Sequence, residues 1–156
     1  MKVLFVCTGN ICRSPLAEGI LKDKLRKKGI TAEVDSAGFE NFHIGDPPDE
    51  RAIKIAWKHD IDITDHRARL FTRADFDRFD KIYVMDAWHF DNTMRLSRND
   101  NDKEKVDYVM NALYPMNNIP VHDPWYNGIS AFEEVFIQLE NACEIIAEMI
   151  RVQHKS

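Results

Sequence analysis

The chain has 156 residues, 44% of them hydrophobic and 30% charged, with a formal net charge of −5 at pH 7. That length fits one domain with a sizeable core, residues 1–156, and the acidic balance excludes a nucleic-acid binder that relies on bulk positive charge. Any phosphate site must therefore be built locally. No apolar run reaches the length of a membrane span, and the one near the N-terminus stops at Gly9-Asn10, short of a signal-peptide core. Three cysteines, Cys7, Cys12 and Cys143, form an odd and sparse set that fits a reducing compartment, so a cytoplasmic location is expected.

Lys2–Cys7 is apolar, β-branched and aromatic without helical spacing, and reads as a buried strand. Ser14 suits an N-cap and Pro15 a first helical position. The helix expected there runs to about Lys28, buries Ala17, Ile20, Leu21 and Leu25, and stops at Gly29. Its basic run from Lys22 to Lys28 reads as a solvated face that complements the helix dipole. Ala32–Ser36 reads as a second strand and Phe39–Pro48 as a loop. A helix over about Asp49–His59 is expected to bury Ala52, Ile53, Ala56 and Trp57. Thr72–Phe79 reads as a short helix capped by Thr72, Lys81–Met85 as a third strand ending at Asp86, and Ala87–Ser97 as a helix. Ser97–Lys105 is a polar surface stretch, Val106–Val109 a short fourth strand, and Tyr114–Gly128, with three prolines, a long loop. Phe132, Val135, Phe136, Leu139, Ala142, Cys143, Ile146, Met149 and Ile150 then recur at helical spacing and mark the last helix. Alternating strands and helices imply an α/β fold, a parallel sheet covered on both faces, with ligands beyond the carboxyl ends of the strands. Cys7 stands at such an end.

The segment Cys7–Ser14 places a nucleophile at a strand end, a loop of backbone N–H groups, and a cation at a helix start. Three features favour the thiolate of Cys7: the facing helix N-terminus, the fixed charge of Arg13, and a hydroxyl from Ser14. Gly9 and Asn10 tolerate positive φ, so the loop from Thr8 through Gly9, Asn10, Ile11 and Cys12 to Arg13 and Ser14 is able to curl and aim successive N–H groups at an anion. The forked guanidinium of Arg13 matches a phosphoryl group where a lysine would supply charge alone. Cleaving a phosphate ester also needs an acid for the leaving oxygen. Two Asp-Pro pairs compete for that role, Asp46-Pro47 and Asp123-Pro124. Asp46 reads as a cap or turn residue, whereas Asp123 sits in the long loop beside Trp125 and Tyr126. The six histidines show no metal-ligand spacing with the cysteines.

The segment V-C-T-G-N-I-C-R-S-P, Val6–Pro15, resembles the low-molecular-weight protein tyrosine phosphatases. The likeness continues through D-S-A-G at Asp35–Gly38, P-P-D-x-R-A at Pro47–Ala52, V-M-D at Val84–Asp86 and D-P-W-Y at Asp123–Tyr126. The resemblance implies a four-stranded parallel sheet with flanking helices and a two-step phosphatase that uses no metal or other cofactor. Its substrate would be a phosphotyrosine protein or peptide and its product inorganic phosphate. Cys7 would be the nucleophile, Arg13 the phosphate ligand, and Asp123, rather than Asp46, the general acid. Asn10 would shape the loop and Ser14 hold the thiolate.

Ile11 is expected on the pocket wall, where phosphoarginine-directed relatives tend to carry Thr, and so leans toward phosphotyrosine. Phe42, Trp125 and Tyr126 are the expected aromatic walls. Cys12 invites a reversible disulfide with Cys7, and Asp86 a steadying contact behind the site. The chain departs from the family pattern at His89, where Asn is frequent, and at Trp125, where Tyr is frequent; His89 and its aromatic neighbours are expected to alter the substrate rim. Arsenate reduction or arginine dephosphorylation on the same fold is the competing chemistry. A silent phosphoprotein-binding module would be expected to lack Cys7 or Asp123.

Overall fold

The computed structural model describes residues 1–154. In chain order it contains β1 (Val3–Cys7), α1 (Arg13–Lys27), β2 (Val34–Gly38), α2 (Glu50–Lys58), α3 (Ala74–Arg78), β3 (Lys81–Val84), α4 (Ala87–Leu96), α5 (Asp100–Glu104), β4 (Val106–Tyr108) and α6 (Ile129–His154). The strands form one parallel four-stranded sheet in the order β2-β1-β3-β4. The chain leaves β1 in one direction to reach β2 and crosses back over β1 to reach β3. The carboxyl end of β1 is therefore the switch point of the sheet, where a crevice opens in such folds.

All five residues of β1 are buried, as a strand covered on both faces requires. Val3, Phe5 and Cys7 pack with α1, α2 and α6, while Leu4 and Val6 pack with Phe71, Phe76 and Phe79 on the opposite face. Helix α1 ends in a Schellman motif: Gly29 has φ 69°, its N–H donates to Arg26 O, and Ile30 N–H donates to Leu25 O. Helix α5 arises within the polar stretch because Asn99 caps it, accepting from Asp102 N at 2.8 Å.

Several expectations are displaced. Strand β2 lies two residues later than expected, because Ala37 and Gly38 pair with Val6 and Cys7. Helix α1 begins at Arg13, so Ser14 lies inside its first turn and makes no N-cap; the preceding Cys12 provides no side-chain cap either. Helix α2 buries Ala52, Ile55 and Ala56 and leaves Trp57 66% exposed, because the helix turns its 52-55-56 face inward. Thr72 does not cap α3 with its hydroxyl; the Asp75 carboxylate instead accepts from Thr72 N at 2.9 Å. Met149, expected on the core stripe of α6, is partly exposed, and Ala147 is buried instead.

Candidate active site

The loop between β1 and α1 is held by its own side chains and by the strand beside it. Asn10, with φ 58°, is the residue that takes the left-handed turn; Gly9 does not. Asn10 is fully buried, and every polar group of its side chain is used. Its Nδ2 donates to Ser14 Oγ at 2.8 Å and to Ser36 Oγ at 2.9 Å, and its Oδ1 accepts from Arg69 N at 3.0 Å. Gly38 completes the seat: a Cβ there would lie 2.7 Å from Thr8 O and 3.0 Å from Asn10 N, both backbone atoms. Only glycine lets β2 lie against the loop.

These donors orient the thiol. Ser14 Oγ accepts from Asn10, and its single O–H has Cys7 Sγ at 2.9 Å as its nearer acceptor and Ala37 O at 3.5 Å as the farther one. Both residues are buried, so the bond forms away from water. The brace continues outward: Ser36 Oγ donates to Glu18 Oε1 at 2.7 Å, His66 Nε2 lies 3.1 Å from Asn10 O, and His66 Nδ1 lies 3.4 Å from Glu18 Oε1. Burial raises the Glu18 carboxyl. The hydrogen bonds from His66, Lys22 and Ser36 outweigh it, bringing the group down to about 2.

Arg13 is 3% exposed and joins three segments. Its Nη1 donates to Asp86 Oδ2 at 3.1 Å and to Val121 O at 2.8 Å, and its Nη2 reaches Thr8 Oγ1 at 3.4 Å. Asp123 Oδ2 stands 3.8 Å from Nη2. Asp86, expected to steady the site from behind, does so, and it also caps α4 by accepting from His89 N at 3.1 Å. Asp123 accepts from Trp125 N at 3.0 Å, the short-range bond of an Asx turn, and is half-exposed. Asp46, the rival carboxylate, makes a turn: its N–H donates to His43 O and its own carbonyl accepts from Ala68 N.

Cys7, Thr8, Gly9, Ile11, Cys12, Arg13, Glu40, His43, Asp123, Trp125 and Tyr126 surround a cavity of about 290 Å³. The side chains of Asn10 and Ser14 lie behind this wall and act on the loop. Phe42 is 83% exposed and packs edge-on against His43, which lies 6.0 Å from the Trp125 ring. The aromatic wall from this loop is thus His43, one residue further on. Tyr126 is 90% exposed at the mouth. Arg51 fastens the loop that carries Asp123: it donates to Trp125 O at 2.8 Å, lies over the rings of Trp125 and Phe132, and is itself held by the α2 cap Asp49. Burial, together with the nearby Cys7, Asp49 and Asp123, pushes the Cys12 thiol well up, so it stays neutral. Cys143 is fully buried in α6 with its thiol toward Ala17 O.

The model of a family described as low molecular weight phosphotyrosine protein phosphatase matches residues 2–156. The chain belongs to this family. The Bacillus subtilis low molecular weight protein-tyrosine-phosphatase YfkJ is 37% identical over 156 residues, covering 97% of this chain and 96% of its own. The Drosophila melanogaster low molecular weight phosphotyrosine protein phosphatase 2 is 34% identical over 154 residues, covering 97% and 93%. Among solved structures, the Entamoeba histolytica protein tyrosine phosphatase crystallised with Hepes in its active site superposes with a TM-score of 0.89 at 30% identity, covering 99% of this chain and 98% of that one.

Seen as a member of this family, the chain carries site residues that sequence patterns marked only faintly. Ser36 and Arg51 lie within motifs already singled out, D-S-A-G and P-P-D-x-R-A. Glu18 and His66 carry no local signal, since only the fold brings positions 48 residues apart into the network around Asn10, His66 at its carbonyl and Glu18 through Ser36. His89 is fully buried beneath the loop and hydrogen-bonded to Thr8, so it forms no part of the rim. Among the described residues no group of three or more His, Cys, Asp or Glu is placed to hold a metal ion, and no helix is long and apolar enough to cross a membrane.

Proposed function

We propose that this chain, acting as one phosphatase domain over residues 1–156, hydrolyses phosphotyrosine in protein or peptide substrates and releases inorganic phosphate. The Cys7 thiolate attacks phosphorus in line with the leaving oxygen. Asp123 protonates that oxygen as the P–O bond breaks, giving the dephosphorylated tyrosine side chain and a cysteinyl-phosphate. Water then attacks the phosphorus, its proton passes to the Asp123 carboxylate, and the S–P bond breaks to regenerate the thiolate. Arg13 and the N–H groups of residues 8–14 hold charge on the equatorial oxygens in both steps. The single observation that carries this reading is the one cavity lined by Cys7, Arg13 and Asp123, with a buried Ser14 hydroxyl 2.9 Å from the sulfur.

The apolar Ile11 wall, with Trp125 and Tyr126 at the mouth, fits an aromatic leaving group rather than a guanidinium. Beyond the Cys7–Ser14 loop the one further cysteine, Cys143, is fully buried, which disfavours a disulfide relay of the kind that thioredoxin-coupled arsenate reduction needs. The three unpaired thiols among the described residues and the acidic surface support a cytoplasmic protein without a nucleic-acid partner. Hydrolysis of an aryl phosphate in excess chelator tests the proposal. Wild type should turn over, and Cys7→Ser should lose roughly 10⁴-fold or more of kcat while still binding inorganic phosphate. Turnover retained in Cys7→Ser would sink the mechanism.

Cys12 shares the cavity wall with Cys7 and gives the site a redox guard. Peroxide converts the Cys7 thiolate to a sulfenic acid; the Cys12 thiol attacks that sulfur, hydroxide leaves and takes the thiol proton as water, and a disulfide remains for an external thiol to reduce. Activity lost to peroxide should return with dithiothreitol in wild type and stay lost in Cys12→Ser. Equal recovery in both refutes the guard.

A further inference from the structure

His89 is fully buried, yet it lies neither in the cavity wall nor in the apolar core proper. Its Nε2 is 2.7 Å from Thr8 Oγ1, and Thr8 lines the cavity. Its Nδ1 is buried without a hydrogen-bond partner, and the nearest charge to it is Asp86 Oδ1 at 3.1 Å. The Phe39 ring lies nearly parallel to the imidazole, with centroids 6.4 Å apart, and shields it. Burial, and then the positive charge of Arg13, hold the ring below the ordinary histidine range, so it is neutral.

The polarity of the chain of contacts follows from who is able to donate. Arg13 has only donors, so Thr8 Oγ1 accepts from it at 3.4 Å. A neutral imidazole with a carboxylate oxygen beside Nδ1 keeps its hydrogen there, because a bare lone pair facing Asp86 would be repelled. Nε2 is then an acceptor, and the Thr8 hydroxyl donates to it. This directs the Thr8 lone pairs toward Arg13 Nη2, while Asp86 takes Nη1 on the other side. Asp86 thus serves both ends of the network, caps the helix that carries His89, and ties the histidine to the arginine.

Building on the phosphatase reading above, we propose that His89 is a positioning residue which, through the hydroxyl of Thr8, fixes the guanidinium of Arg13 in the plane that receives the equatorial phosphoryl oxygens. Asp86 and the Val121 carbonyl both anchor Nη1 and leave the fork free to swing about that nitrogen. The Thr8 contact supplies the second point that a bidentate clamp needs.

Two matched pairs of variants test this. Thr8→Val and Thr8→Ser differ in the hydroxyl, and His89→Leu and His89→Gln differ in whether an acceptor can reach it. Kinetics with an aryl phosphate and calorimetry with inorganic phosphate are measured on each, and on the double variant Thr8→Val/His89→Leu, after thermal melts confirm folding. Thr8→Val and His89→Leu should each lose about 10- to 100-fold in kcat with a smaller change in KM, and bind phosphate more weakly. Thr8→Ser and His89→Gln should recover most of the loss, and the double variant should be no worse than the poorer single. Equal activity of the Val and Ser variants, or losses that multiply in the double variant, overturns the proposal. If wild type binds phosphate but turns over no aryl phosphate, the phosphatase reading fails on its own. The phosphate affinities of the variants then decide the role of His89: unchanged affinities refute it and weakened ones uphold it.

Discussion

The two loops that meet at the cavity are built on opposite principles. The loop from Cys7 to Ser14 has Asn10 and Ser14 fully buried, and its side chains are cross-linked to β2, to α1 and to the segment around His66 and Arg69. The loop from Val121 to Gly128 exposes Asp123, Tyr126 and Asn127 and is held mainly by the Val121 backbone bonds to Met85 and Arg13 and by the Arg51 bond to Trp125 O. The difference follows the chemistry each must do. Charge on the phosphoryl oxygens is present through both steps, so its ligands gain by being preorganised, with no reorganisation at the moment of reaction. In the proposed mechanism Asp123 must give up a proton, let the leaving group depart and admit water, which suits its half-exposed place beside the cavity.

That contrast predicts different failures. The largest effect in the exposed loop belongs to Asp123→Asn, which removes the proton and keeps the Asx-turn acceptor to Trp125. Its kcat should fall roughly 10²- to 10⁴-fold with phenyl phosphate or phosphotyrosine, whose leaving phenol has a pKa near 10. The loss should shrink for p-nitrophenyl phosphate, which leaves without assistance far more readily. Stopped or continuous assays on both esters make the check, and an equal loss on both would remove Asp123 from the proton's path. The melting temperature should barely move, because Asp123 is half-exposed and its 3.8 Å contact with the buried Arg13 is long beside the 3.1 Å and 2.8 Å bonds that Arg13 makes to Asp86 and Val121 O.

The two loops were also unequally legible in the sequence. The nucleophile loop announces itself locally, since strand, turn residues, Arg13 and helix start follow one another within the stretch from Lys2 to Pro15. The order of strands and helices likewise gave the parallel sheet and its covered faces. The proposed acid is remote by 116 positions from Cys7, and residue chemistry left Asp46 and Asp123 both open; the resemblance to the family favoured Asp123. What stayed hidden was the bracing. Ser14 resembles a cap because caps favour serine, but Asn10 and Cys7 claim its hydroxyl first. His89 sits in an aromatic stretch that resembles an exposed rim, and only the packing of α4 against β3 and β4 turns it under the loop. Phe42 gave way to His43 because one step along a short 3-10 turn, Asn41–His43, reverses which ring faces inward. Such choices are made by tertiary contacts over distances that no local window spans.

The buried brace should fail through stability and with pH, which the exposed loop should not. Glu18 is the terminus of the chain Asn10–Ser36–Glu18, and its carboxyl falls from an ordinary 4.5 to about 2 in the folded protein. A carboxyl lowered by folding contributes stability that is complete above its unfolded value and is lost as the pH drops through its folded one. The window is therefore pH 4.5 down to 2, and the size of the effect is about 3 kcal/mol. Glu18→Gln keeps an acceptor for Ser36 and loses the charge that His66 and Lys22 address. Urea titrations at a series of pH values should find the variant less stable than wild type by up to that amount near neutrality, with the gap closing as the pH approaches 2. A gap that stays constant down the series would mean that shape and hydrogen bonding, rather than the ionised carboxylate, hold the nucleophile loop in place.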